Sequence, residues 1–129
     1  MGDDHPNALA YRRTADAFRT GELDVLASLI SKRVVWHVPG SHSMAGEIHG
    51  QDELFAWLTE LRRRGFWLEE LEVFANDRYV CAISLMGARR EAIDVSTRVV
   101  SVFRYEAGQQ MERWIYADDV NAWDQIFDA

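Results

Sequence analysis

The chain has 129 residues, of which 48% are hydrophobic and 27% charged, and its formal net charge is −7. This length fits one domain with one core, and the composition excludes disordered and low-complexity classes. A negative chain repels phosphate backbones, so we expect no nucleic-acid partner. No apolar run approaches the ~20 residues of a membrane span, and no signal-peptide core is visible. We therefore expect one cytoplasmic domain over residues 1–129, with a flexible N-terminus at 1–6 and no membrane partner.

The first half of the chain is predominantly helical in pattern. Apolar residues at helical spacing predict three helices, over residues 7–20, 22–30 and 52–64. Gly21 and Gly65 are natural ends for the first and the third, because glycine adopts the left-handed cap conformation freely. A β-branched and aromatic run predicts a strand over residues 34–38, and a polar loop follows over 41–50.

The second half is typical of antiparallel strands. Runs rich in Val, Thr and aromatic residues predict four strands, over residues 66–75, 79–86, 92–105 and 111–116. Residues 87–90 are predicted to be a connection, Ala107-Gly108 a hairpin turn, and residues 118–127 a short closing helix. Helices separated from a run of strands indicate an α+β fold, with three helices over a curved antiparallel sheet and a pocket between them.

Disulfide and metal chemistry find little support in the sequence. Cys81 is the single cysteine, so there is no disulfide framework and no cysteine metal site. His37, His42 and His49 could supply three imidazoles to zinc. Their intervals are irregular, however, and one loop would have to fold around the ion. We expect no metal and no cofactor.

Four segments together carry a resemblance to a known superfamily. They are FRTGELD at 18–24, WHVPG at 36–40, AGEIHGQDEL at 45–54 and MERWIYAD at 111–118. In this order and spacing they resemble the nuclear transport factor 2-like superfamily, and within it the SnoaL-like and ketosteroid-isomerase-like proteins. The resemblance covers nearly the whole chain and implies a cone that encloses a pocket. This fold hosts isomerases, cyclases, dehydratases, epoxide hydrolases and non-enzymatic binders, so the resemblance does not fix an activity.

The same comparison argues against steroid isomerisation. Ketosteroid isomerases use a Tyr on the first helix, an Asp before a Pro after the first strand, and a second Asp on a later strand. The matching positions here are Thr14, Val38 and Ser101. All three depart from the family's pattern, so its known catalytic groups are missing.

Asp118 is the leading catalytic candidate, because relatives often carry an Asp directly after the last strand. Alternation along a straight strand places Glu112, Trp114 and Tyr116 on its face, and the resemblance implies that this face lines the cavity. Burial there would favour the protonated carboxyl and suit it to acid–base chemistry on a ketone, enol or epoxide. The alternative is that Asp118 or Asp119 caps the final helix, and Asp119 is the better placed of the two.

His37 is a second acid–base candidate, and Tyr116 a candidate hydrogen-bond donor. The resemblance implies that Trp36 and Val38 line the cavity, which turns His37 away from it or to the rim. Further ligand contacts are predicted on the third helix, on the sheet and at the pocket mouth: His42, His49, Leu54, Trp57, Val99, Ser101, Glu112 and Trp114. Among the five tryptophans, we expect three at the cavity and two packed elsewhere, namely Trp67 and Trp123.

The functional hypothesis is a SnoaL-like protein that binds a polyketide-, steroid- or terpenoid-like molecule in its cone. If it is an enzyme, it is a cofactor-free cyclase, isomerase or dehydratase working by acid–base chemistry. The alternative is a non-catalytic ligand-binding or dimerisation module of the same fold. Val100 and Val102 would leave an apolar outer sheet face exposed, which predicts a homodimer through the sheet.

Overall fold

Four helices and six strands make up residues 4–128, the part of the chain that the computed structural model describes. In chain order they are α1 (Pro6–Thr20), α2 (Leu23–Leu29), β1 (Ile30–Val38), β2 (Gly46–His49), α3 (Gln51–Arg63), β3 (Phe66–Ala75), β4 (Tyr79–Arg90), β5 (Ile93–Glu106), β6 (Gln109–Ala117) and α4 (Val120–Asp128). The α+β class predicted from the sequence is confirmed. None of these helices is long and apolar enough to cross a membrane.

The strands form one curved sheet in the order β2-β1-β6-β5-β4-β3. Every neighbouring pair runs antiparallel except β1 and β6, which run parallel. The expected fully antiparallel sheet therefore needs this correction. The β3–β6 meander progresses strand by strand until β6 lies beside β1, and nothing local to either strand encodes that distant pairing.

The predicted loop at residues 41–50 contains an unpredicted strand, β2. Its four residues pair with β1, with Trp36 opposite Ile48 and His37 opposite Glu47. Only Ile48 of this strand is buried. Because the strand is so short and polar, its alternation is too brief to distinguish it from a loop.

Strand β4 continues to Arg90, although residues 87–90 were predicted to be a connection. Gly87 was the misleading signal. A Cβ at this position would lie 2.4 Å from the Val95 carbonyl oxygen and 2.6 Å from the Trp67 ring. This glycine therefore marks a close approach within the sheet rather than a turn.

Helix ends follow the expected capping chemistry. Gly21 ends α1 with a φ of 77°, in the left-handed region, and its N–H donates to carbonyls of the last turn. At the other end, Nδ1 of His5 accepts a hydrogen bond from the Asn7 N–H, and Pro6 is the first helical residue. The segment expected to be flexible, residues 1–6, thus overlaps the start of α1, and its residues 1–3 lie outside the described part.

Two groups of buried side chains form the core on the side of the sheet that faces the helices. The larger packs the central strands against α2, α3 and α4, and the smaller packs the N-terminal half of α1 against β3, β4 and β5. The opposite face of the sheet carries no helix of the described chain. This one-sided arrangement places the space between the helices and the sheet at the centre of the molecule.

Candidate functional site

A cavity lies between the concave face of the sheet and the four helices. The space that the centre of a water-sized sphere can occupy is about 60 Å³, and all the space between its atoms, counted together with the open mouth, is about 640 Å³. The walls are mostly aromatic and aliphatic, and they are formed by Tyr11, Thr14, Ala15, Phe18, Leu26, Ile30, Trp36, Trp57, Leu58, Leu61, Phe66, Leu68, Met86, Phe103, Gln110, Arg113, Ile115, Trp123 and Phe127. No Asp, Glu or His is among these described lining residues.

Three tryptophans form one aromatic side of the cavity. The Trp36 and Trp57 ring centres are 5.9 Å apart in an edge-to-face arrangement, and Phe127 connects Trp57 to Trp123 at 5.9 and 4.9 Å. The indole N–H of Trp57 donates to the Met44 carbonyl oxygen at 3.0 Å. The other two indole N–H groups are also hydrogen-bonded. Their polar edges are therefore satisfied within the protein, which leaves ring surface for a ligand.

Arg113 is the charged residue of this lining, and it is only 8% exposed. Its Nη2 and Nε donate to the Ser101 hydroxyl oxygen at 2.7 and 3.2 Å. The guanidinium carbon lies 4.3 Å from the centre of the Trp36 ring and 4.8 Å from that of Phe103, so two aromatic faces hold it by cation–π contact. Burial lowers the pKa of Arg113 to about 10, so it remains protonated at neutral pH.

Neutral hydroxyl groups surround this cation. Burial raises the pKa of Tyr105 to about 12 and also raises the pKa of Tyr11, so both phenols stay protonated at neutral pH. The hydroxyls of Tyr105 and Ser84 are buried without a hydrogen-bond partner among the described residues. Gln110 and Thr14 oppose the rise in the Tyr105 pKa, and Ser84 opposes the rise in the Tyr11 pKa. None of these three side chains is in hydrogen-bonding geometry with the phenol that it affects.

The predicted cavity face of β6 is wrong. Glu112, Trp114 and Tyr116 lie on the outer face of the sheet, and Tyr116 is 58% exposed. Arg113 and Ile115 point inward instead, because Arg113 pairs with Phe103 and Ile115 with Ser101. None of the three predicted side chains can contact a molecule inside the cavity.

A β-bulge at Met111 explains this reversal. Tyr105 is opposite Gln110, but Arg104 is opposite Glu112, so Met111 is one extra residue on β6. Without it, the hairpin register would place Glu112 opposite Phe103 and turn it inward. One inserted residue moves every following side chain of a strand to the other face.

Asp118 also lies outside the cavity. Its carboxylate accepts a hydrogen bond from Arg98 Nε at 2.9 Å, and both side chains are half-exposed. The desolvation that would have suited Asp118 to acid–base work is therefore missing. The alternative assignment of the cap to Asp119 is confirmed, since its Oδ1 accepts the Ala122 N–H at 3.0 Å.

His37 faces the outer side of the sheet. Its Nε2 is 2.6 Å from Glu112 Oε2 and its Nδ1 is 3.2 Å from Glu47 Oε2, and the ring stacks on Trp114. The imidazole thus joins β1, β2 and β6 on the surface. The proposal that it acts on a ligand in the cone has no geometric support.

The two remaining candidate histidines have different settings. His42 is buried, with Nε2 donating to the Pro39 carbonyl oxygen and Nδ1 accepting the Met44 N–H, and its ring stacks on Phe127 at 3.8 Å. His49 is mostly exposed beside Glu47. Within residues 4–128, no three His, Cys, Asp or Glu side chains are arranged to hold a metal ion.

The other predicted contact residues divide between the cavity and the core behind it. Trp36 and Trp57 line the cavity, and their role in binding stays a prediction. Val38, Leu54 and Val99 are buried in the core but are not part of the lining. Ser101 is also outside the lining, and its hydroxyl oxygen accepts hydrogen bonds from Arg113. Trp123 was expected to pack elsewhere but lines the cavity. Trp114 was expected to line the cavity but lies on the outer face of the sheet.

Sequence reasoning missed Arg113 and Gln110, the polar groups at the sheet side of the cavity. Arginine is normally exposed, so a strand face that carries one is taken to point outward. The inward position of Arg113 follows from the strand pairing, because Trp36 faces inward and lies opposite Arg113 in the parallel ladder of β1 and β6. That pairing is between residues far apart in the chain.

Comparison with known proteins agrees with this architecture. The model of the SnoaL-like domain matches residues 11–114. The chain belongs to the SnoaL-like domain family. Among curated proteins, none is significantly similar in sequence.

Solved structures place the SnoaL-like domain among nuclear transport factor 2-like folds. Bal32a, from a soil-derived mobile gene cassette, superposes with a TM-score of 0.88 at 26% identity, covering 95% of this chain and 96% of that chain. A nuclear transport factor 2-like protein from Burkholderia xenovorans gives 0.81 at 16% identity, with 95% and 96% coverage. TerC, co-crystallised with polyporic acid, gives 0.81 at 16% identity, with 95% and 98% coverage.

Proposed function

We propose that this SnoaL-like domain binds a small, flat hydrophobic molecule of polyketide, steroid or terpenoid type in its cavity. The aromatic lining is the observation that carries the proposal. Trp36, Trp57 and Trp123 each present ring surface while their N–H groups are bonded elsewhere. Ring surface gives a flat ligand a large apolar contact area. TerC, a structural neighbour, was co-crystallised with the small molecule polyporic acid.

The positions of the groups that the sequence predicted to be catalytic favour ligand binding over acid–base catalysis. Asp118, His37 and Tyr116 all lie outside the cavity, paired to surface groups or exposed. A general acid or base must come within hydrogen-bond reach of the proton that it transfers. The lining residues include no carboxylate or imidazole, and the phenol of Tyr11 and the guanidinium of Arg113 stay protonated at neutral pH, which favours ligand binding over proton abstraction.

The neutral fluorophore N-phenyl-1-naphthylamine tests the cavity as a binding site. We expect saturable binding to the wild-type protein. Ala15 is a small residue of the lining on α1, and Ala15→Trp would fill part of the cavity. This variant should bind the fluorophore at least about tenfold more weakly, since ligand and side chain compete for one volume.

Ala27→Trp on the exposed side of α2 is the matched control, and its affinity should stay within about twofold of the wild type. Circular dichroism verifies that both variants are folded. Equal affinity in the Ala15 variant, or no saturable binding to the wild-type protein, would refute the proposal.

We further propose that the outer sheet face forms a homodimer. Apolar side chains occupy it in rows across β3 to β6, among them Phe74, Cys81, Ile83, Leu85, Val100, Val102, Trp114 and Tyr116. Phe74 and Tyr116 are 45% and 58% exposed. A contiguous apolar surface of this kind is typical of protein interfaces. Charged groups such as Arg104 and Glu112 border it, as at the polar rim of an interface.

A further inference from the structure

Arg113 is a buried cation with no buried counter-charge among residues 4–128. It forms no ion pair with a carboxylate of the described chain. A guanidinium has five N–H donors. The Nε–H and one Nη2–H point to Ser101, which leaves three donors without a hydrogen bond to a described residue. A buried charge in this state is strongly unfavourable unless something else compensates it.

The neighbouring groups do not supply the missing negative charge. Tyr11 and Tyr105 are the closest candidates, but burial raises the pKa of both phenols and keeps them neutral. Gln110 has its amide oxygen engaged by the Trp36 N–H at 2.5 Å. The Thr14 hydroxyl donates to the Ala10 carbonyl oxygen. The compensation must therefore come from outside these residues.

The geometry around Arg113 favours an anion approaching from the cavity. Trp36 and Phe103 contact the guanidinium group, and Ser101 occupies part of its edge. Arg113 lines the cavity, and the donors that Ser101 does not engage are the ones left for a ligand there. The free donors of a guanidinium match the two oxygens of a carboxylate, and such a bond is strengthened in a site from which water is excluded.

We propose that Arg113 is an anion subsite, and that the ligand of this cavity is a flat hydrophobic molecule bearing one negatively charged oxygen group, such as a carboxylate. The inference rests on the proposed ligand-binding function and specifies its ligand class. The apolar rings hold the hydrocarbon part, and Arg113 binds the oxyanion at the sheet side of the cavity.

The test compares 2-naphthoate with 2-naphthamide by isothermal titration calorimetry, because the two differ in charge but have nearly the same shape. The wild-type protein should bind 2-naphthoate at least about tenfold more tightly, as expected for a charge-assisted hydrogen bond in a dry site. Arg113→Met should abolish this preference, because it should weaken the binding of 2-naphthoate at least about tenfold more than that of 2-naphthamide.

Arg98→Met is the matched control, because it removes the same charge from the exposed surface pair with Asp118. It should keep the wild-type preference. If Arg113→Met does not fold, Arg113→Lys retains the charge without the fork, and we expect it to prefer 2-naphthoate by a smaller factor than the wild type. An unchanged preference in either Arg113 variant contradicts the assignment.

The outcomes separate this inference from the proposed function. If N-phenyl-1-naphthylamine binds while the wild-type protein does not distinguish the two naphthalenes, the cavity is a binding site and the anion subsite is wrong. If Arg98→Met reduces the preference as much as Arg113→Met, the effect is general electrostatic attraction, and the assignment is again wrong. If none of the three molecules binds, both proposals fail.

Discussion

At the residue scale, burial lowers the pKa of two basic side chains, Arg113 and His42, but only Arg113 remains protonated at neutral pH. Arg113 remains charged because its ordinary pKa is so high that a reduction to about 10 leaves it protonated. Burial also lowers the pKa of His42, whose ordinary value is much closer to neutrality. Arg113 therefore offers a cation to the cavity, whereas His42 holds a loop in its neutral form.

His42 makes the stability of the protein depend on pH. Its Nδ1 accepts the Met44 N–H, so the protonated ring would lose this bond. Because the folded pKa lies below the unfolded value of about 6.5, the unfolded state takes up the proton first as pH falls. This contribution is complete above about pH 6.5 and is lost below it, by up to about 1.4 kcal/mol per pH unit until the folded pKa is reached.

Urea unfolding of the wild-type protein and of His42→Gln at pH 7.5 and 5.5 measures this effect. We expect the variant to be less stable at pH 7.5 but to lose less stability on acidification. His49→Gln removes an exposed imidazole and should keep the wild-type pH dependence. An identical pH dependence in wild type and His42→Gln would show that His42 is not the responsible group.

At the element scale, strand β6 determines the chemistry of the cavity by its register. The bulge at Met111 places Arg113 inward and Glu112 outward, where Glu112 pairs with His37. A continuous hairpin would bring a carboxylate into the aromatic cavity and expose the arginine. The choice between a cationic and an anionic cavity therefore depends on one inserted residue rather than on composition.

Helix α4 allows the two adjacent aspartates to be distinguished. Asp119 caps the helix through the Ala122 N–H, whereas Asp118 forms a half-exposed pair with Arg98. Asp119→Ala should lower the free energy of unfolding by about 1 kcal/mol, as for other lost N-caps. Asp118→Ala should lower it by no more than about 0.5 kcal/mol, because exposed ion pairs contribute little.

Chemical denaturation of the two variants at pH 7 measures both values. A larger loss in Asp118→Ala than in Asp119→Ala would reverse the assignment of the cap. A folded Asp118→Ala that binds N-phenyl-1-naphthylamine like the wild type would also agree with a position outside the cavity. A large loss of this binding would contradict that position.

At the scale of the whole molecule, all four helices lie on one face of the sheet, and the other face presents its apolar rows to the surroundings. Val102 lies within these rows, opposite Cys81 on β4 and Trp114 on β6. We expect the wild-type protein to sediment as a dimer at micromolar concentration. Val102→Glu should shift it to a monomer, because a desolvated carboxylate in the interface would have no partner.

Ala56→Glu adds the same charge on the exposed side of α3 and should remain dimeric. Analytical ultracentrifugation compares the three proteins. A monomeric wild-type protein at micromolar concentration, or a Val102→Glu variant that stays dimeric, would contradict the proposed interface. The cavity is built by one chain, so a monomeric variant should still bind N-phenyl-1-naphthylamine.

Much of the architecture was predictable from the sequence because its determinants are local. The helix ending at Gly21 and the turn at Ala107-Gly108 follow from the conformational freedom of glycine and from turn chemistry. The inward face of β5, with Val99 and Ser101, follows from alternation along an uninterrupted strand. These features depend on residues that are neighbours in the chain.

The face of β6, and with it the chemistry of the cavity, was decided only by tertiary structure. The sequence by itself determined an aromatic-rich α+β domain, its helix ends and the alternation of its long strands. It did not reveal which face of β6 lies inside, because an extra residue at Met111 becomes visible only when β6 is paired with β5 and β1. Strand register is a relation between distant segments, and here that relation buries Arg113 and exposes Trp114.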